Sequence, residues 1–455
     1  MLKIAKVLPI FKKGSKSLVS NYRPISVLSC INKIFEKLLA IRIYSFLEKQ
    51  NILYEFQYGF RTGHSTTHAL IEITDRIKLA INNNELMCGI FLDLSKAFDT
   101  VNHKILLSKL EYYGFRGPVH NLLKSYLTNR KQYVKIGNHK SELRQINCGV
   151  PQGSVLGPLL FILYINDLHK ACNIGNLRIF ADDTTVFFKC ININDITSKG
   201  TQVMTHLNEW FKDNKLTLNS EKSNFIIFRS RQNKLTNLPD QINFENACII
   251  RSDSAKYLGV ILDEHLTWNQ QFTEVCNKLK RYFKLFYCIR NLVNTEQVKI
   301  IYYAFIYSRI KYGISIFGFL NDTKMRRLQI IQNKLLKVLL AKNYRYSTNL
   351  LHNELEILKV MDIAKLDVLT FIHNYFNNKL PPIFNNYFPL ISEMHTINTR
   401  RSNREIYIKT YTTNAGISSI KSIGAKIWNE TKDSNKYIKN VKSFRKTIIK
   451  SILYY

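Results

Sequence analysis

The sequence predicts a mixed α/β fold of the α+β kind, a sheet-and-helix core flanked by helical basic lobes. Three observations carry that reading. Between residue 88 and about residue 263, short β-type runs alternate with helical stretches. Beyond Leu266 the apolar residues recur at three- and four-residue steps, as in packed helices. Of 455 residues, 45% are hydrophobic and 12% aromatic, enough for several domains with cores of their own.

In chain order, residues 1–80 mix short extended runs with a helix over 31–47, placed by its apolar spacing. Asp99 or Asn102 can cap a helix over 103–113 that stops at Gly114. Ser154 can cap the very apolar helix 155–165. A helix over 204–213 precedes a strand over 224–228. The run Lys278-Leu279-Lys280-Arg281-Tyr282-Phe283-Lys284-Leu285-Phe286-Tyr287 is basic and aromatic together, and helical spacing continues through 328–340. After Pro381-Pro382 the composition shifts: from Arg400 onward thirteen Lys and Arg face only Glu405, Glu430 and Asp433.

The chain carries 66 Lys and Arg against 33 Asp and Glu, a formal charge of +33. A folded protein with that excess repels itself unless it meets a polyanion, and nucleic acid is the expected partner, a membrane surface the weaker alternative. No apolar stretch approaches the ~20 residues of a spanning helix, and no secretory h-region with a cleavage site follows Met1. Eight cysteines show neither a CxxC pair nor a Cys/His zinc spacing, which fits a reducing compartment. An intracellular protein without membrane association is expected.

Three carboxylates hold most of the chemical information. Asp93 ends the buried-strand pattern Ile90-Phe91-Leu92-Asp93, and Asp182-Asp183 sit in a tight turn between two apolar runs. Acidic groups placed where strands enter the interior are costly unless something positive neutralises them, and a pair of divalent cations is one such neutraliser. Taken alone, Asp182-Asp183 also suits a solvated hairpin turn. Around them stand Phe91-Leu92-Asp93-Leu94-Ser95-Lys96-Ala97-Phe98-Asp99, Gly149-Val150-Pro151-Gln152-Gly153-Ser154, Leu218-Asn219-Ser220-Glu221-Lys222-Ser223 and Tyr257-Leu258-Gly259-Val260. Upstream lie Ile10-Phe11-Lys12-Lys13-Gly14, Asn21-Tyr22-Arg23-Pro24-Ile25-Ser26 and Gln57-Tyr58-Gly59-Phe60-Arg61; downstream, Leu266-Thr267-Trp268 and Trp428-Asn429.

This ordered set resembles the reverse transcriptases of non-LTR retrotransposons of the jockey and LINE kind, over nearly the whole chain. The resemblance implies a right-hand polymerase with fingers over 1–80, an antiparallel-sheet palm over 81–265, a helical thumb over 266–345 and a basic C-terminal region over 346–455. It implies an RNA template, a DNA primer or target and dNTPs as partners, in nucleus and cytoplasm, and two Mg²⁺ ions, with Mn²⁺ as a substitute. Asp93 and Asp182 would hold the ions, with Asp183 in support. Phe98 would lie under the incoming sugar and exclude a 2′-hydroxyl, although a core aromatic is the plainer reading; Asp99 reads as a helix cap. Gln152 and Gly153 match the loop under the nascent base pair, and a strand-to-helix turn would equally use them. Lys12 and Arg23 match triphosphate-gripping fingers residues. Arg61 and Gln57 contact template or hold the fingers loops, and Lys222 is a proton donor to pyrophosphate or a surface lysine. Lys280, Arg281 and Lys284 would track duplex phosphates while their aromatic neighbours serve the thumb's core.

Members of this family commonly carry an endonuclease ahead of the polymerase, and their fingers extend further upstream, so an N-terminally truncated copy is expected. Two further readings stay open: an inactive remnant that binds nucleic acid, and a group II intron-type maturase with the same palm.

Overall fold

The computed structural model describes residues 3–233, 235–319, 322–394 and 405–454. Arg400, Arg401 and Arg404 of the basic tail lie outside them. The chain begins with β1 (Ile4–Phe11), β2 (Tyr22–Val27), α1 (Cys30–Lys49) and α2 (Thr66–Asn82). Next come β3 (Leu86–Leu92), α3 (His103–Tyr112), α4 (Gly117–Leu127), β4 (Arg130–Ile136), β5 (His139–Lys140) and β6 (Arg144–Ile146). Then follow α5 (Leu156–Tyr164), β7 (Asn176–Phe180), β8 (Asp183–Cys190), α6 (Ile193–Asp213) and β9 (Asn224–Phe228). β10 (Gln241–Phe244), β11 (Ala247–Arg251), β12 (Ser254–Tyr257) and β13 (Val260–Asp263) precede a mainly helical remainder.

The central sheet has the order β10-β11-β9-β3-β8-β7, with β3 antiparallel to both neighbours. Both of its faces are covered, so β3 is buried at every position rather than alternating with polar residues. Cys88, Ile90 and Leu92 join one core with residues of α1, α3, α5 and α6. Met87 and Phe91 join a second core with α2 and the helices beyond residue 266, a core that runs on to Trp428, Phe444 and Ile448. Gly89 lies between those two on the second face, where an added Cβ would sit 2.7 Å from the Phe187 ring and 2.9 Å from that of Phe228.

A second sheet, β2-β1-β4-β5 with β6 also on β4, forms beside the first. Helix α1 packs on the first core, against one face of the central sheet. Its residues Asn32, Glu36, Ala40, Ile43 and Leu47 form one buried stripe at helical spacing. Glu36, fully buried, accepts from the Val155 N–H at 2.6 Å and the Leu156 N–H at 3.2 Å. Its other oxygen accepts from Asn32 Nδ2 at 2.6 Å and from the Tyr126 hydroxyl at 3.0 Å. A carboxylate from the first lobe thus caps the first turn of α5, a helix too apolar to supply its own anion. Ser154 contributes as expected from its position, its Oγ accepting from the Gly157 N–H at 2.9 Å.

Of the two caps that the sequence offers for α3 the structure uses the second, and α6 begins earlier than its apolar spacing suggests. The cap of α3 is Asn102, which accepts from the N–H groups of Lys104 and Ile105; Asp99 lies in the preceding turn, too early to reach them. α6 starts at Ile193, a full three turns before residue 204, because Gly200 is no breaker here. It lets Ile242 of β10 press on the helix, at 2.7 Å from where a Cβ would stand. The basic-aromatic run is split at Arg281 between helices Asn269–Lys280 and Tyr282–Ile289. Among the described residues, no helix is long and apolar enough to cross a membrane.

Helix α2 holds the second core together with charged groups. Glu72 pairs bidentately with Arg178 of β7, at 2.6 and 2.7 Å, and the guanidinium lies 3.8 Å from the Phe56 ring centroid. One turn on, Asp75 accepts from the Tyr387 hydroxyl at 3.1 Å and the Ile420 N–H at 3.0 Å. Lys78 donates to the carbonyls of Ile316 at 3.1 Å and Ser418 at 2.8 Å, and its burial pushes the ammonium down to about 8 against the pull of Asp75. Both partners of the Glu72–Arg178 pair are buried. Arg178→Met should therefore lower unfolding stability by about 3–5 kcal/mol, because a buried carboxylate is left with only the partly exposed Arg76. Adding Glu72→Gln should recover much of the loss; urea midpoints of the single and double variants check both.

Candidate active site

The register of the central sheet brings the three carboxylates to one end of it. β3 runs antiparallel to β8, and its last pair is Leu92 with Thr184, so Asp93 emerges beside Asp183. β7 and β8 form a hairpin closed by the pair Phe180–Asp183, leaving Ala181 and Asp182 as the turn. Ala181 sits at φ 57°, the left-handed conformation that a two-residue hairpin demands at its first corner. The strap of residues 218–223 grips Asp93 by its backbone. Its N–H donates to Ser223 Oγ at 3.2 Å and its carbonyl accepts from the Asn219 N–H at 2.9 Å.

Packing carboxylates this closely perturbs them. Asp182 is raised above the usual carboxylate range by burial, with Asp93 adding to the rise and Arg23 and Lys12 opposing it. Asp183 is pushed up to about 6, first by the protein around its carboxyl, then by Asp182 and Asp93. Lys222 stands 3.5 Å from Asp93, but both side chains are well exposed, so that pair offsets little of the repulsion. Among the described residues no three His, Cys, Asp or Glu side chains are gathered tightly enough to enclose a cation alone. A partial shell of carboxylates still suits Mg²⁺, which keeps waters and takes one or two carboxylates together with substrate phosphates. The residues fit such an ion.

The expected fingers residues divide. Arg23, on β2, and Lys12, just past β1, are exposed and close enough to Asp182 to lower its pKa. Arg61 is instead turned onto the fingers backbone, donating to the Tyr54 carbonyl at 3.0 Å, and burial lowers its pKa. Phe98 is half-buried: its ring stacks on Phe161 at 4.3 Å and meets Phe60 edge-on at 6.1 Å. The Gln152 carbonyl accepts from the Ser26 N–H at 2.7 Å, tying its loop to β2. Gly153, at φ 113°, allows that approach, since a Cβ would fall 2.6 Å from the Ser26 carbonyl oxygen. The Gln152 amide donates to Asp99 at 2.9 Å, and burial raises that carboxyl despite the bond. Asp99 therefore orients Gln152 rather than capping α3. On the thumb side Lys280, Arg281 and Lys284 are exposed while Phe286 is buried.

Two contributors went unassigned from sequence. Glu36 could have been found, since it falls on the apolar stripe of its helix where a solvated acid does not belong. The contact between Gln57-Tyr58-Gly59 and the catalytic turn could not, because it joins segments more than a hundred residues apart.

A family described as "Reverse transcriptase (RNA-dependent DNA polymerase)" matches residues 10–262. Among curated proteins, the chain is 33% identical over 350 residues to the probable RNA-directed DNA polymerase from transposon X-element of Drosophila melanogaster, covering 75% of this chain and 38% of that protein. It is 28% identical over 371 residues to the RNA-directed DNA polymerase from mobile element jockey of the same species, covering 79% and 40%. The chain spans about 40% of the length of these relatives. Among solved structures, a Candida tropicalis telomerase in complex with a fragment of telomeric RNA aligns with a TM-score of 0.42 at 13% identity, over 78% of this chain and 64% of that one.

The raised Asp183 has a measurable consequence. A carboxyl whose folded pKa lies near 6, above its ordinary 3.8, favours folding while protonated and opposes it once ionised. Without divalent cations, Asp183→Asn and wild type should thus have similar Tm at about pH 4. The variant should become the more stable as pH rises through about 6, and added Mg²⁺ should narrow the gap. Thermal melts across that window, with and without the cation, check the sign.

Proposed function

The chain belongs to the reverse transcriptase (RNA-dependent DNA polymerase) family, and from that premise we propose that it extends a DNA 3′-hydroxyl along an RNA template by nucleotidyl transfer. The jockey-like order of its motifs supports a non-LTR retrotransposon polymerase in particular. The observation that carries the reading is the β3–β8 register, which delivers Asp93, Asp182 and Asp183 to one place with Lys12 and Arg23 facing them.

Two Mg²⁺ ions, with Mn²⁺ as a substitute, would be held by Asp93 and Asp182, with Asp183 beside them. The chemistry that such ions supply when bound is activation of the primer hydroxyl and neutralisation of the departing pyrophosphate. Lys12 and Arg23 attract the triphosphate, Arg with a forked donor set and Lys as a point charge. Lys222, beside Asp93, is placed to give a proton to the pyrophosphate. Phe98, braced from below by Phe161, holds a rigid ring where the sugar must pass. Gln152, fixed by Asp99, and Gly153, fixed against β2, form the floor under the new base pair. Arg61 shapes the fingers loop from behind.

Primer extension on an RNA template tests the assignment: folded protein with Mg²⁺ or Mn²⁺ should add dNTPs, and absence of any product would refute it. Asp182→Asn removes a ligand charge at nearly constant shape and should cut the rate about 10³-fold or more, several kcal/mol of charge stabilisation, while salt-sensitive RNA binding persists. Phe98→Ala should raise ribonucleotide relative to deoxynucleotide incorporation by roughly 10–100-fold, read from kcat/KM for the two sugars.

A further inference from the structure

Gln57 is 1% exposed, in a segment that runs alongside β7 through a parallel bridge to Ile179. Its neighbours make that pairing firm: Tyr58 N–H donates to the Ile179 carbonyl at 2.8 Å and Ile179 N–H to the Phe56 carbonyl at 3.0 Å. The side chain then reaches past the end of the strand. Its Oε1 accepts from the Gly59 N–H at 2.9 Å and from the Ala181 N–H at 3.3 Å. Two donors on one oxygen settle which way the amide points, and they leave Nε2 buried without a protein partner among the described residues. A buried polar group left unsatisfied calls for a reason.

The second half of the contact is glycine. Gly59 has no room for a side chain, since a Cβ would lie 2.3 Å from the Ala181 nitrogen and 2.9 Å from the Phe180 carbonyl carbon. The segment 57–59 is therefore seated directly on the backbone of the Ala181-Asp182 corner. Ala181, in the left-handed region, is the residue whose torsion sets where the next two carboxylates point.

We propose that Gln57 is a positioning residue for catalysis: its carbonyl oxygen, by holding the Ala181 N–H over the Gly59 seat, fixes the turn that presents Asp182 and Asp183 to the metal ions. The inference rests on the polymerase reading for what the carboxylates do. Hydrogen-bonding partners of metal ligands typically matter about 10–100-fold in metal affinity or activity.

The test compares three variants with wild type. Gln57→Met keeps the unbranched shape but removes the acceptor, and Gln57→Glu keeps an acceptor in place. Gln57→Asn is one methylene too short to bridge both N–H groups. Mn²⁺ binding by electron paramagnetic resonance is measured on each apoprotein, beside primer-extension kinetics and Tm. Gln57→Met should bind Mn²⁺ about 10-fold more weakly and lose about 10–100-fold in kcat with dNTP KM within about twofold, whereas Gln57→Glu should bind Mn²⁺ no more weakly than wild type. If Gln57→Met fails to fold, Gln57→Asn must show the same loss of Mn²⁺ affinity. A folded Gln57→Met or Gln57→Asn with wild-type Mn²⁺ affinity and kcat would overturn the proposal. Should wild type bind Mn²⁺ yet add no nucleotide, the polymerase reading falls and the Mn²⁺ measurement still decides the role of Gln57.

Discussion

The gathering of Asp93, Asp182 and Asp183 at one end of a buried sheet is the constraint around which the rest of this fold is arranged. Burial at the end of the sheet raises Asp182 and Asp183, the charge of Asp93 adds to both rises, and the exposed Lys222 beside Asp93 offsets little. Nothing about that cluster is self-stabilising. It persists because the β3–β8 ladder is continuous for seven residue pairs, from Leu86–Cys190 to Leu92–Thr184, and a register slip of one residue would turn every buried side chain of β3 to the wrong face. The sheet is thus strained at its functional end by charge and secured along its length by two cores.

The supports are themselves polar and mostly buried, and each joins segments distant in sequence. Glu36 ties the first lobe to the helix that follows the Gln152-Gly153 loop. Glu72 clamps Arg178, four residues before Asp182, so the strand entering the catalytic turn is fixed from behind. Asp75 and Lys78, on the same helix, reach in the other direction to Tyr387, Ser418 and Ile420. The region beyond residue 346 is in this way bolted to the helix that backs the active-site hairpin, and its Trp428 and Phe444 are core residues.

Sequence reading worked where one residue's character decides an outcome locally. The apolar run of β3, the strand Asn224–Phe228 and the helix after Asn102 were legible because hydrophobic period and cap chemistry are short-range. The carboxylates were legible only as an ordered set of motifs, since an Asp-Asp turn by itself is also a solvated turn. What escaped was pairwise and long-range. Asp99 looks like a cap until Gln152 is found 2.9 Å away across the fold, and Arg61 suits a template contact or a loop brace equally until the Tyr54 carbonyl is found to accept from it. Helix α6 begins at Ile193, well before residue 204, and Gly200 within it packs under Ile242 from a strand the sequence does not place there. In each case a polar or small residue has several local uses, and only a partner from elsewhere selects one.

The charge distribution links these details to the partner. A formal +33 draws a polyanion from any direction and says nothing about where the chemistry occurs. At the proposed reaction site the sign is reversed, and a phosphate approaching Asp93, Asp182 and Asp183 would be repelled by them. On the proposed function divalent cations would resolve that conflict, because a +2 ion is attracted to both the carboxylates and the phosphates. Burial first, and the neighbouring Asp182 and Asp93 after it, lift Asp183 to about 6, so a bound cation would relieve both costs at once. Lys12, just past β1, and Arg23, on β2, are within electrostatic reach of Asp182 and on the same proposal would draw the negatively charged end of a nucleotide. Global positive charge supplies affinity for any nucleic acid; local negative charge decides what can complete the site.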